Sequence, residues 1–180
     1  LGDKPLTYSN WLEALRAGRT FATNGPLLTF TINGAMPGED VRLPQNGGTV
    51  TLKGEVQSIV PLDKVMIMNN GEILKTVPLD ETGSNAVFEI TVDVDESGWY
   101  TLQAEGKRNT LPISDLYPQA TTNAIRVYVG GDPIRNIESA NYFVRWIDRL
   151  LAMAEAHPGW RTTKEKDHVL GQFKQAQQVY

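Results

Sequence analysis

Two hydrophobic periods divide the chain. Between Thr7 and Ala17 the apolar residues Trp11, Leu12 and Leu15 fall on one face at helical spacing. Thr7 and Ser9 are placed to cap the first free amides, and Gly18 ends the run. The period then shortens to two. Arg19–Thr23 has strand composition and Leu27–Ile32 is a second β-rich run, while Thr49–Val56, Lys64–Met68, Glu72–Val77, Val87–Val94, Trp99–Glu105 and Ala124–Val129 read as half-buried strands. In the Val87–Val94 run, Phe88, Ile90, Val92 and Val94 are expected to face the core, with Val87, Glu89, Thr91 and Asp93 outward. Asn24-Gly25-Pro26, Asn33-Gly34, Asn46-Gly47-Gly48, Asn69-Asn70-Gly71 and Ser97-Gly98 supply the turns, and Asn70-Gly71 between two alternating runs is a hairpin signal.

From Ser139 the helical period returns. Tyr142, Phe143, Trp146, Ile147, Leu150 and Leu151 recur at that spacing as far as His157-Pro158-Gly159. Thr162 or Thr163 then caps a last helix. Seven or eight short strands without intervening helices favour an antiparallel sheet pair over a parallel sheet, which needs crossover helices. The expected fold is mainly β: an immunoglobulin-like antiparallel β-sandwich with a short N-terminal helix and C-terminal helices. Residues 1–133 form the sandwich with its helix, and residues 134–180 a helical extension packed on it. Gly106–Thr121 is the least regular stretch and is expected to be a functional or docking loop.

The length of 180 residues suits this organisation, with 41% hydrophobic and 21% charged residues. A net charge of −4, with basic residues scattered, argues against nucleic acid or an anionic membrane as partner. Cysteine is absent, which excludes disulfides and thiolate metal ligands but leaves the compartment open between cytoplasmic and exported. No apolar run approaches the roughly 20 residues of a membrane helix, so a soluble chain is expected. Leu1-Gly2-Asp3-Lys4-Pro5 carries neither an initiator methionine nor a signal-peptide pattern. The expectation is a piece of a longer protein that continues upstream.

Complete catalytic constellations are missing from the sequence. His157 and His168 are the only histidines, and neither has a zinc-type partner at helical spacing. Asp93, Asp95 and Glu96 do not match a calcium-loop spacing, and Glu39-Asp40 and Asp80-Glu81 read as surface turns. There is no Gly-x-Ser-x-Gly elbow, phosphate loop or dinucleotide fingerprint. Trp99, Tyr100, Tyr117 and Trp160 are the aromatics available for a sugar-stacking platform. The most distinctive string is Arg19-Thr20-Phe21-Ala22-Thr23-Asn24-Gly25-Pro26. There Arg19 is suited to clamping an anion, and Asn24 to bonding a ligand or fixing a turn.

The run from Trp11 to Leu28, followed by Ile32-Asn33-Gly34 and Pro37-Gly38, resembles the region C-terminal to the catalytic domain in CehA/McbA-like metallohydrolases of the PHP superfamily. Asn70-Gly71, Thr122-Asn123-Ala124-Ile125, Tyr142-Phe143 and Trp146-Ile147-Asp148 are compatible with it, so the resemblance spans most of the chain. In that family the catalytic metals are held by His and Asp/Glu residues of an upstream domain, and those motifs are absent here. The resemblance therefore implies a non-catalytic accessory domain that docks on the upstream catalytic domain of the same polypeptide and shapes its active-site entrance. It implies no cofactor in this chain, with divalent metals only in the upstream domain. Arg19, Thr23, Asn24 and Asn123 are the candidates for that interdomain or site edge. Two rival expectations are a carbohydrate-binding sandwich, which needs an exposed aromatic platform, and an independent hydrolase with a cryptic site.

Overall fold

Thr7 opens the first helix, α1 (Tyr8–Arg16), because its hydroxyl accepts the Asn10 N–H at 3.2 Å. The computed structural model describes residues 4–107, 112 and 117–179. It divides into two compact units, Leu1–Ile134 and Arg135–Tyr180.

The first unit is mainly β. Its strands are β1 (Phe21–Thr23), β2 (Leu27–Ile32), β3 (Asp40–Leu43), β4 (Gly48–Gln57), β5 (Lys64–Asn69), β6 (Glu72–Val77), β7 (Asn85–Val94), β8 (Gly98–Glu105), β9 (Gln119–Thr122) and β10 (Ile125–Val129). One sheet has the order β2-β4-β7. In the other, β8 is central. β5 and then β6 lie along one edge of it, while β9 and β10 share the opposite edge and carry β1 and β3 beyond them. All pairings are antiparallel except β3 with β10, which run parallel. The antiparallel expectation needs correcting at that one place.

Alternation decides which side chains meet. Phe88, Ile90, Val92 and Val94 of β7 point inward, while Val87, Glu89, Thr91 and Asp93 are exposed. One hydrophobic cluster draws on both sheets: Phe30, Ile32, Leu52 and Val56 from the smaller, Ile67, Tyr100, Leu102 and Ile125 from the larger. Each buried side chain of this size contributes about 1.5–3 kcal/mol. At the cross-strand row Phe30–Gly54–Phe88 the central residue has no side chain because the Phe88 ring and the Thr29 carbonyl fill the space; the two phenylalanine ring centroids lie 6.4 Å apart.

Two strands depart from the sequence reading. β3 begins at Asp40, the second residue of a pair expected to form a surface turn, and β9 lies, but for Thr122, within the stretch expected to be a loop. Ala120 and Thr122 of β9 are buried, and the Thr122 hydroxyl accepts the Leu102 N–H at 3.0 Å. Of the expected docking loop, residues 108–111 and 113–116 lie outside the described residues.

The second unit is a helix pair. α2 (Ile137–Ala156) starts before the expected Ser139 because the Asn136 side chain accepts the Ser139 N–H at 2.7 Å. Thr162 caps α3 (Thr163–Gln177), its hydroxyl accepting from Glu165 N–H. Ile147 and Leu170 are buried in this unit, while Tyr142, Phe143, Trp146 and Met153 are exposed. No helix is long and apolar enough to cross a membrane, among the described residues.

Candidate functional site

The segment Arg19–Asn24 runs from the end of α1 into β1, and its neighbours come from distant parts of the chain. Gly18 and Gly38 both have left-handed backbone, at φ +74° and +90°. Their close approach needs bare Cα atoms. A Cβ on Gly38 would lie 2.0 Å from the Ala17 carbonyl oxygen, and one on Gly18 would lie 2.5 Å from Asn123 Nδ2. The Asn123 amide donates to the Gly18 carbonyl at 2.9 Å, its side-chain oxygen accepts from Ala124 N–H, and Gly38 N–H donates to the Ala124 carbonyl. Gly18, Pro37-Gly38 and Asn123-Ala124 are thus one knot that ties α1 to the join between β9 and β10.

Arg19 finds its anion within the chain. Its Nη2 donates to Glu39 Oε1 at 2.8 Å, and Glu39 Oε2 accepts the Met36 N–H at 2.9 Å. The Met36 N–H, aided by the Arg19 guanidinium, holds the Glu39 carboxyl below the ordinary carboxylate range against partial burial. Asp40 pairs in turn with Arg126 at 2.7 Å. Glu39 is the residue the sequence reading missed: Arg19 announces the need for a carboxylate but not which one.

Thr23 and Asn24 are equally committed. The Thr23 hydroxyl donates to the Pro26 carbonyl and accepts from Gly25 N–H, which closes the Asn24-Gly25-Pro26 turn. Asn24 Nδ2 donates to the Tyr117 carbonyl at 2.9 Å, and its Oδ1 accepts the Gln119 N–H at 2.7 Å. Arg19 also edges a hollow of about 260 Å³ whose walls include Phe21, Leu28, Phe30 and Met36. Arg19 Nε is buried without a hydrogen-bond partner among the described residues. This arrangement positions a guanidinium beside an apolar surface.

Within the first unit Trp99, Tyr100 and Tyr117 do not assemble. Tyr100 is only 2% exposed and belongs to the core, which corrects its candidacy as a stacking surface. Trp99 is half-buried beside the Asn70-Gly71 hairpin, where its backbone N–H donates to Asn70 Oδ1. Tyr117 is exposed, but it precedes β9, which pairs with the far end of β8 at Glu105. At about 3.3 Å per residue, the span from Trp99 to Glu105 is roughly 20 Å. Trp160 belongs to the helical unit, where its indole N–H donates to the Ala154 carbonyl and its ring meets His157 edge-on. Among the described residues no group of three or more His, Cys, Asp or Glu side chains is gathered as a metal site. No protein-family model and no curated protein matches the chain.

Proposed function

We propose that this chain is a non-catalytic accessory domain that docks, through α1, onto the upstream catalytic domain of a PHP-type metal-dependent hydrolase. The observation that carries the reading is the outward apolar stripe of α1. Tyr8, Trp11 and Leu15 sit at i, i+3 and i+7 on one face, and are 76%, 50% and 48% exposed. The residue this helix buries is Ala14. An amphipathic helix normally turns such a stripe inward, so the stripe on α1 is a surface held ready for another body. The knot of Gly18, Gly38 and Asn123 holds it rigidly. Burial of each large side chain against a partner is worth about 1.5–3 kcal/mol.

The finer fold belongs to the same reading. The order β3-β10-β8-β5-β6 in one sheet and β2-β4-β7 in the other supports an immunoglobulin-like sandwich. The divalent metals belong to the upstream domain, and this chain supplies no ligand to them.

Hydrolysis of a mixed panel of phosphoesters and carboxyl esters, with added manganese or zinc, tests the proposal. The comparison is between these 180 residues and a longer chain that carries the upstream domain. Turnover only in the longer chain is expected, with Trp11→Ser plus Leu15→Ser weakening it by destabilising the joint. Metal-dependent turnover by the 180 residues alone overturns the reading.

A further inference from the structure

β7 is an outer strand of the three-stranded sheet. It pairs with β4 along one edge from Asn85 to Val94, and no strand among the described residues pairs along the other. Antiparallel bonding alternates, so the backbone groups left open can be identified. Just beyond the paired residues, Ser58 N–H donates to the Ser84 carbonyl in the same register. The even-numbered residues of β7 therefore bond to β4, and the N–H and C=O of Val87, Glu89, Thr91 and Asp93 point to the free edge. Asn85 agrees, because its carbonyl accepts from Asp80 N–H. All four of these edge residues are exposed, and their inward neighbours Ile90 and Val92 are covered only in part.

Charge then says what fits. Asp80, Glu81, Glu89, Asp93, Asp95 and Glu96 lie within residues 80–98, and no lysine or arginine does. From the neighbouring strand Lys53 pairs with Glu89 at 3.0 Å. Asp93 accepts the neutral Thr49 hydroxyl at 2.9 Å and is paired with no lysine or arginine among the described residues. Acids along an edge repel the same edge of a second copy, which is how sheet proteins prevent self-pairing. The same acids attract a strand of opposite sign.

We propose that the free edge of β7 binds an extended peptide segment with lysine or arginine at alternating positions, added as a fourth strand. Val87, Glu89, Thr91 and Asp93 supply the backbone pairing. The acids of the edge receive the basic side chains, and the apolar side chains of the peptide cover Ile90 and Val92. This surface is separate from the α1 stripe and does not rest on the hydrolase reading.

The test uses the full chain and a fluorescein-labelled nonapeptide of alternating lysine and valine, followed by fluorescence polarisation. Two control peptides carry glutamate for lysine, or the same lysines with prolines replacing the central valines. Binding of the lysine–valine peptide is expected, with both controls weaker by about tenfold or more, because proline cannot extend a ladder. Thr91→Pro removes an N–H that β4 does not use, so it should keep the circular dichroism spectrum and lose binding by about tenfold. If that variant unfolds, the proline peptide on the unaltered chain decides alone. Equal binding of the proline and valine peptides reduces the effect to ion attraction and overturns the proposal. So does no binding, or a dimer of the chain that Thr91→Pro dissociates.

Discussion

Gly38 packs its bare Cα against the backbone of Ala17 so closely that an added Cβ would sit 2.0 Å from the Ala17 carbonyl oxygen. Gly34 has nearly the same backbone angle, φ +83° against +90°, but nothing within 4 Å of such a Cβ. The pair separates the cost of left-handed backbone from that of collision. Gly34→Ala should destabilise by about 1–2 kcal/mol, the price of the conformation. Gly38→Ala should cost clearly more and disturb Arg19 and Asn123 as well. Denaturant unfolding of both variants checks this, and equal losses would refute the collision argument.

Asn24 joins β1 to the start of β9 through two side-chain bonds, to Tyr117 and Gln119. Asn24→Ala should lower stability by about 1–2 kcal/mol, the loss of two ordinary hydrogen bonds. Asn24→Asp keeps the acceptor for Gln119 N–H but sets a carboxylate against the Tyr117 carbonyl, so it should not restore stability. Thermal unfolding of the isolated chain is the measurement. A role confined to contact with another domain would leave both melting temperatures unchanged.

Asp80 organises the turn before β7. The Asn85 side chain, the Thr82 hydroxyl and the N–H groups of Asn85 and Ser84 all donate to it, and they hold its carboxyl far below the ordinary carboxylate range. A group depressed on folding stabilises the native state above its unfolded value, about 3.9 for an aspartate, and loses that contribution as pH falls below it. Asp80→Asn should therefore melt at a lower temperature than the parent at pH 7. The gap should narrow progressively below about pH 4. A gap of constant size between pH 7 and pH 2 would show that the charge of Asp80 is not what the turn uses.

The parts of this fold legible in the sequence are those where one strand carries its own signal. β2 begins and ends where its apolar run does, between Asn24-Gly25-Pro26 and Asn33-Gly34; β6 keeps its expected bounds, but Val77 is its one buried residue, which corrects the half-buried reading of that strand. β3 and β9 were hidden for different reasons. β3 alternates over four residues only, with Val41 buried and Leu43 half-buried, a run too short to stand out, and its partner β10 is distant in sequence. β9 is Gln-Ala-Thr-Thr, and its inward residues are a small alanine and a threonine whose hydroxyl bonds to β8. The polar residues of the Arg19–Asn24 string were legible as special, but their purpose was not. Their partners Glu39, Tyr117, Gln119 and Asn123 are brought close only by the folded topology.

The inner row Phe30–Gly54–Phe88 offers a coupling measurement. A Cβ on Gly54 would meet the Phe88 ring at 2.6 Å and the Thr29 carbonyl at 2.8 Å. Gly54→Ala should therefore destabilise through overpacking, by about 1–3 kcal/mol. Phe88→Ala empties the same space and should cost about 3–5 kcal/mol. In the double variant the alanine methyl enters the space the ring has left, and the collision with Phe88 is gone. Its loss should fall short of the sum of the two single losses by about 0.5–3 kcal/mol, the range seen for residues in contact. Strict additivity in urea unfolding would mean that the carbonyl of Thr29, not the Phe88 ring, is what requires glycine at this position.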